Sequence, residues 1–152
     1  MNPTIEAAKE ITREQTRQLT LALEFIPQER RHWVPRGCAK TPQDIYLECA
    51  GTYLWAAKFL RKEPLDWSQA LPKAKDCPGL EEAKGLMEKY QQEFFTALDD
   101  LDESRLGETA EMPWGEKMSL GQYIFLPSYH TCYHCGQLNY IQTLLGDGEM
   151  HF

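Results

Sequence analysis

SLGQYIFLPSYHTCYHCGQLNYIQTLLG, residues 119–146, reads as a single amphipathic helix and carries the most chemically capable side chains of the chain. Ser119 followed three residues later by Gln122 is the signature of a capping box, and Gly146 supplies a stop. Between them Leu120, Ile124, Pro127, Thr131, His134, Leu138, Ile141 and Leu145 recur at the 3–4 spacing of one buried seam. Pro127 has no N–H to give to the carbonyl of Tyr123, so the spacing predicts a kink or a restart just before His130. His130 and His134 stand four apart, which puts their Cβ atoms on one helix face about 5–6 Å from each other.

Working outward, three further segments show the same period. The first covers residues 3–25, with Asn2 as cap and Pro3 in the first turn. Its seam is Ile5, Ala8, Thr12, Gln15, Leu19, Ala22 and Ile26, apolar at both ends and polar in the middle. Pro27 and the pair Arg36-Gly37 interrupt it. The second helix opens at Thr41 with Pro42 in first position and Asp44 where a capping-box carboxylate would stand. Ile45, Glu48, Thr52, Trp55 and Phe59 form its stripe. Pro64, Pro72 and Pro78 make residues 62–78 a loop.

The third helix, residues 80–101, has the cleanest seam: Leu80, Ala83, Met87, Tyr90, Phe94, Ala97 and Leu101. That stripe is plain core, and the acids that follow (Asp99, Asp100, Asp102, Glu103) read as a solvated end. A loop is expected through Gly107 and residues 113–115. With no repeat and almost no period-two alternation, the expectation is an all-α fold, one four-helix bundle domain over residues 1–152.

The bulk numbers narrow the function classes. A net charge of −7 and a pI near 5.1, with sixteen basic residues spread along the chain, argue against nucleic acid as a partner. No run approaches the roughly eighteen apolar residues of a membrane span, and residues 1–9 lack the order of a secretory signal. Five cysteines without framework spacing read as reduced thiols, and the expected compartment is the cytoplasm.

Glu48 changes the reading of the histidine pair. It occupies a seam position where an apolar residue is expected, and an unpaired buried carboxylate costs several kcal/mol. It is therefore paired, protonated or coordinated. Two imidazoles and a carboxylate from facing helices form a three-donor set with open positions, suited to zinc, nickel or non-haem iron. The competing reading is an ion pair between Glu48 and a protonated histidine or an arginine. Cys132 and Cys135 make a lone C-x2-C within a helix, more consistent with small buried hydrophobes than with a zinc knuckle or a redox dithiol. Cys132 lies about 200° around the helix from His130 and does not share its ion. Cys49 adjoins Glu48, but its direction is not fixed. His32 and His151 read as surface residues. The sequence has no phosphate-cradling glycine loop and no nucleophile elbow, so any catalysis falls to a metal-activated water or thiol.

The segments MPWGEKM (112–118), FLPSYH (125–130) and the H-x3-H-x-G-Q run from His130 to Gln137 together resemble the final helix of the DinB-like (YfiT-like) superfamily of metal-binding bundles. IYLECA (45–50) with Trp55 is similar to that family's second helix, and WVP (33–35) to its approach. The resemblance implies a four-helix bundle with one long crossover, usually a homodimer, with three histidines around nickel, zinc or iron. It places His130 and His134 as two ligands and puts Glu48 in the slot that is histidine in most members. It also implies small-molecule chemistry, in some relatives with a thiol cosubstrate, as transferases or isomerases. Other members have no known activity, so a non-catalytic binding or stress-response protein is the alternative.

Overall fold

Asn2 opens the first helix by accepting the Thr4 N–H on its side-chain oxygen at 2.9 Å, with Pro3 in the first turn. The computed structural model describes residues 2–64, 66, 71–112 and 114–151. Helix α1 spans Pro3–Glu24. Helix α2, Pro42–Leu60, begins where Thr41 accepts the Asp44 N–H at 3.0 Å. The Asp44 carboxylate does not close a capping box. It accepts the Thr41 hydroxyl and the Ala74 N–H (2.7 and 2.9 Å), so it ties the following loop to the start of α2. Helix α3 spans Leu80–Asp99. Residues 65 and 67–70 of the expected 62–78 loop lie outside the described residues, and the rest of it holds neither helix nor strand.

The long final helix is broken, as Pro127 requires. Helix α4 is a single turn, Leu120–Tyr123, started by a complete capping box between Ser119 and Gln122. Helix α5 restarts at Leu126 and runs to Leu144, with Pro127 in its first turn, where the missing N–H has no helical partner to lose.

Two expectations need correction. The stretch around Gly107 to Gly115 is not simply a loop: Thr109–Glu111 (β1) pairs antiparallel with Lys117–Ser119 (β2), Ala110 opposite Met118. Gly115 closes the connection at φ +90°, its N–H reaching the Met112 carbonyl at 2.8 Å. Strands of three residues are too short to display alternation. The acidic end of α3 is also not wholly solvated, since the buried ammonium of Lys9 pairs with Asp99.

Helix α2 packs most extensively on α3 and also on α5, while α1 lies against α5. Trp55, Tyr53, Tyr123, Phe94, Leu19, Leu23, Met87 and Leu98 fill the interior. The polar middle of α1 is a hydrogen-bonded layer within that core. Thr12 meets Ser128 at 2.7 Å, Thr16 meets the Tyr53 hydroxyl at 2.7 Å, and that hydroxyl meets Thr131 at 2.9 Å. Burying these groups is tolerable because each finds a partner. No helix among the described residues is long and apolar enough to cross a membrane.

Candidate metal centre

The contact between α2 and α5 sets Glu48 opposite the two histidines. The Nε2 atoms of His130 and His134 lie 3.2 Å apart. Glu48 Oε1 lies 3.7 Å from the first and 3.6 Å from the second. His134 is nearly closed off, its side chain 6 % exposed, whereas His130 and Glu48 keep 31 % and 21 %. The site is thus walled on the core side and open on the other.

Each imidazole is oriented from behind. His134 Nδ1 lies 2.7 Å from Gln137 Oε1, so it carries the proton and directs Nε2 inward. The Thr52 hydroxyl donates to the Glu48 carbonyl at 3.0 Å and presents its oxygen to His130 Nδ1 at 3.4 Å. Gln137 gives the G-Q pair of the sequence a physical role.

The set fits a small divalent ion. For a triangle with sides of 3.2, 3.6 and 3.7 Å, the point equidistant from its three corners is about 2.0 Å from each. Bonds of about 2.0–2.2 Å are those of imidazole nitrogen and carboxylate oxygen to zinc and its neighbours. Lone pairs pointed at one another across such gaps repel unless a proton or a cation lies among them.

Two features escaped the sequence reading. Cys49 Sγ and ring nitrogens of His130 and His134 all lie within 4.8 Å of one another, a cysteine–histidine group that could hold a metal. Burial, then the neighbouring Glu48 carboxylate, pushes the Cys49 thiol well above its usual range. Lys40, from the loop before α2, pairs with Glu48 through the carboxylate oxygen that faces away from the histidines. The two imidazoles beside it, followed by Lys40, hold the Glu48 carboxyl far below the carboxylate range against the opposing effect of burial. Of the remaining thiols, Cys135 is buried as expected, but Cys132 is exposed and is not a core residue.

A cavity of about 920 Å³ opens over the triad, lined among others by Arg36, Lys40, Tyr133, Gly136, Gln137 and Tyr140. Its wall is the cavity-facing side of α5. The fold recurs in solved structures. YfiT from Bacillus subtilis, "a probable metal-dependent hydrolase with an unusual four-helix bundle topology", superposes with a TM-score of 0.76 at 14 % identity, over 96 % of this chain and 90 % of that one. The chain has the fold of the DinB-like (YfiT-like) superfamily. The DinB-like protein YjoA of Bacillus subtilis matches at TM-score 0.67 and 14 % identity, covering 96 % of both chains. A conserved protein from Enterococcus faecalis matches at 0.74 and 12 %, over 97 % of this chain and 99 % of its own. No family model matches the sequence, and no curated protein matches it either. At these identities the shared property is the four-helix bundle expected from the seams.

Proposed function

We propose that Glu48, His130 and His134 hold one divalent ion of the zinc, nickel or iron class, and that the DinB-like bundle uses it on a small molecule entering from the wide cavity. The observation that carries this reading is the common point about 2.0 Å from all three donor atoms, set by their separations of 3.2–3.7 Å. YfiT from Bacillus subtilis, described as a probable metal-dependent hydrolase, shares the fold and supports a metal role in the same direction. Such an ion would supply Lewis-acid polarisation and lower the pKa of a bound water or thiol. The protein's share is to fix two imidazoles through Gln137 and Thr52, and to leave the cavity side of the triad accessible. Cys49 is the less suitable third donor, because its thiol is buried and that burial raises its pKa.

One specific observation favours a second reading, a metal-free polar cluster. Glu48 already has Lys40 on one oxygen and the imidazoles near the other, which is enough to satisfy a carboxylate. Metal content separates the two. Untagged protein incubated with zinc, nickel or iron(II) and then desalted is expected to retain about one ion per chain, measured by inductively coupled plasma mass spectrometry. Glu48→Ala and His134→Ala are expected to retain none, while Cys49→Ala keeps the ion. Equal, near-zero metal in wild type and all three variants would sink the metal reading; loss in Cys49→Ala with retention in Glu48→Ala would move the third donor to the cysteine.

A further inference from the structure

A second chamber adjoins the centre. Beside Glu48 and His130 lies an open cavity of about 440 Å³, bordered by Thr52, Trp55, Trp114, Leu126 and Tyr129. Glu48 and His130 border both this chamber and the wide one, whereas His134 borders the wide one.

The two sides differ in chemistry. The wide cavity carries Arg36, an exposed cation for which no hydrogen bond or ion pair occurs among the described residues. The small chamber has no charged group beyond the shared wall. Thr52 spends its hydroxyl on the Glu48 carbonyl and on His130. What remains is aromatic and aliphatic surface.

That surface is buried on one side and half-exposed on the other. Trp55 is 2 % exposed and packs on Phe59 and Tyr123, with ring centroids 5.7 and 5.8 Å away. Trp114 stands over it at 6.2 Å and 34°, half-exposed, on the connection between β1 and β2. Its indole N–H donates to Glu116 at 3.0 Å, so the polar edge of the ring already has a partner. Half-exposed tryptophan beside a buried aromatic wall is the kind of surface that desolvates an incoming apolar group.

We propose that this chamber is a subsite for an uncharged aromatic or alkyl group of the substrate, held against the packed pair Trp55 and Trp114, with the atom to be transformed presented at the Glu48–His130 wall. The role of that atom rests on the metal reading above; the binding of the apolar group does not. Any charged part of the same molecule belongs in the wide cavity, near Arg36.

Indole is a suitable probe, being uncharged, aromatic and a poor metal ligand. Unlabelled indole is titrated into the full chain labelled with nitrogen-15, once without added metal and once with zinc. The four tryptophan side-chain N–H signals are followed, assigned with Trp33→Phe, Trp67→Phe and Trp114→Phe. Saturable shifts are expected for Trp55 and Trp114, with a Kd on the order of a millimolar for so small a ligand. Trp33, whose ring instead lies beneath the Arg30 guanidinium, is expected to stay in place. Trp114→Ala should weaken binding by about tenfold, the scale of one aromatic contact plus its buried area. Because Trp114 is half-exposed in a turn, that variant should keep the rest of the spectrum, which verifies its fold. Leu126→Trp, filling the chamber, should abolish the shifts; if it does not fold, the Trp114→Ala comparison decides alone. Unmoved Trp55 and Trp114 signals, unsaturable shifts shared with Trp33, or unchanged affinity in Trp114→Ala would each overturn the subsite. Indole binding in protein that retains no zinc would leave the subsite standing without the metal reading, and zinc retention without indole shifts would do the reverse.

Discussion

At the scale of single residues the centre turns on charge. In the family the sequence resembles, the first ligand is most often a neutral histidine, whereas Glu48 brings a negative charge to the same slot. Lys40 returns a positive one, on the oxygen turned away from the imidazoles. The Lys40 side chain is 51 % exposed, so solvent limits this pair to about 1 kcal/mol or less. Its ammonium nevertheless opposes any cation placed among the donors. Lys40→Met is therefore expected to tighten zinc binding by about three- to tenfold. Glu48→His is expected to weaken it by about tenfold or more, because the imidazole leaves Lys40 without a counter-charge, and adding Lys40→Met should recover much of that loss. Competition titrations against a zinc indicator measure all four proteins. A Lys40→Met variant that binds zinc more weakly would mean that the lysine positions Glu48 and does not oppose the ion. The odd carboxylate in an apolar seam was legible in the sequence because burial makes such a residue costly. Cys49 was not legible. One residue along a helix is a turn of about 100°, and whether that step still faces the site depends on how α2 leans on α5.

At the scale of elements, the seams and caps gave the helices: Pro42–Leu60 and Leu80–Asp99 begin where the sequence reading placed them, and Pro127 broke the last helix as its missing N–H requires. Pairing of helices was less accessible, because a seam states which face is buried without naming the neighbour, and the hairpin that carries Trp114 was too short to show a period. Helix α5 contains one residue that works against its own stability. Gly136 sits within the helix, lines the wide cavity, and has no atom within 4 Å of where a Cβ would stand. Glycine in a helix interior costs up to about 1 kcal/mol relative to alanine. Gly136→Ala is expected to raise stability by about 0.5–1 kcal/mol in urea titrations, with metal retention unchanged. Gly136→Leu should keep the metal but obstruct the mouth of the cavity, lowering any turnover that depends on it. A destabilised Gly136→Ala would show that the backbone there needs glycine for a reason other than open space.

For the molecule as a whole, the bundle is held by a core that is partly polar, and the phenols in it respond differently. Tyr46, 1 % exposed, has its hydroxyl pushed from 10.0 up to about 12 by burial, against a hydrogen bond with Thr20. Burial raises Tyr53 and Tyr123 as well. A raised pKa means that folding favours the neutral phenol, so its contribution is complete below the unfolded value of 10.0 and is lost as pH climbs through the folded one. For Tyr46 that loss amounts to about 3 kcal/mol. The protein should therefore lose stability steeply above pH 10, with tyrosinate absorbance appearing together with loss of helical circular dichroism. Tyr53 and Tyr123 separate the cause from mere burial. Tyr53 bonds Thr16 and Thr131, so Tyr53→Phe takes one hydrogen bond from each, Thr16 keeping Thr12 and Gln91 and Thr131 keeping the Pro127 carbonyl, and should cost about 1–2 kcal/mol at neutral pH. The Tyr123 hydroxyl is buried with no partner among the described residues, so Tyr123→Phe removes an uncompensated polar group and should be neutral or stabilising by up to about 2 kcal/mol. Both variants should also shift alkaline unfolding to higher pH relative to their own neutral-pH stability, since each removes one group that ionises only in the unfolded chain. Equal destabilisation by the two substitutions would show that shape, and not hydrogen bonding, decides what this core tolerates.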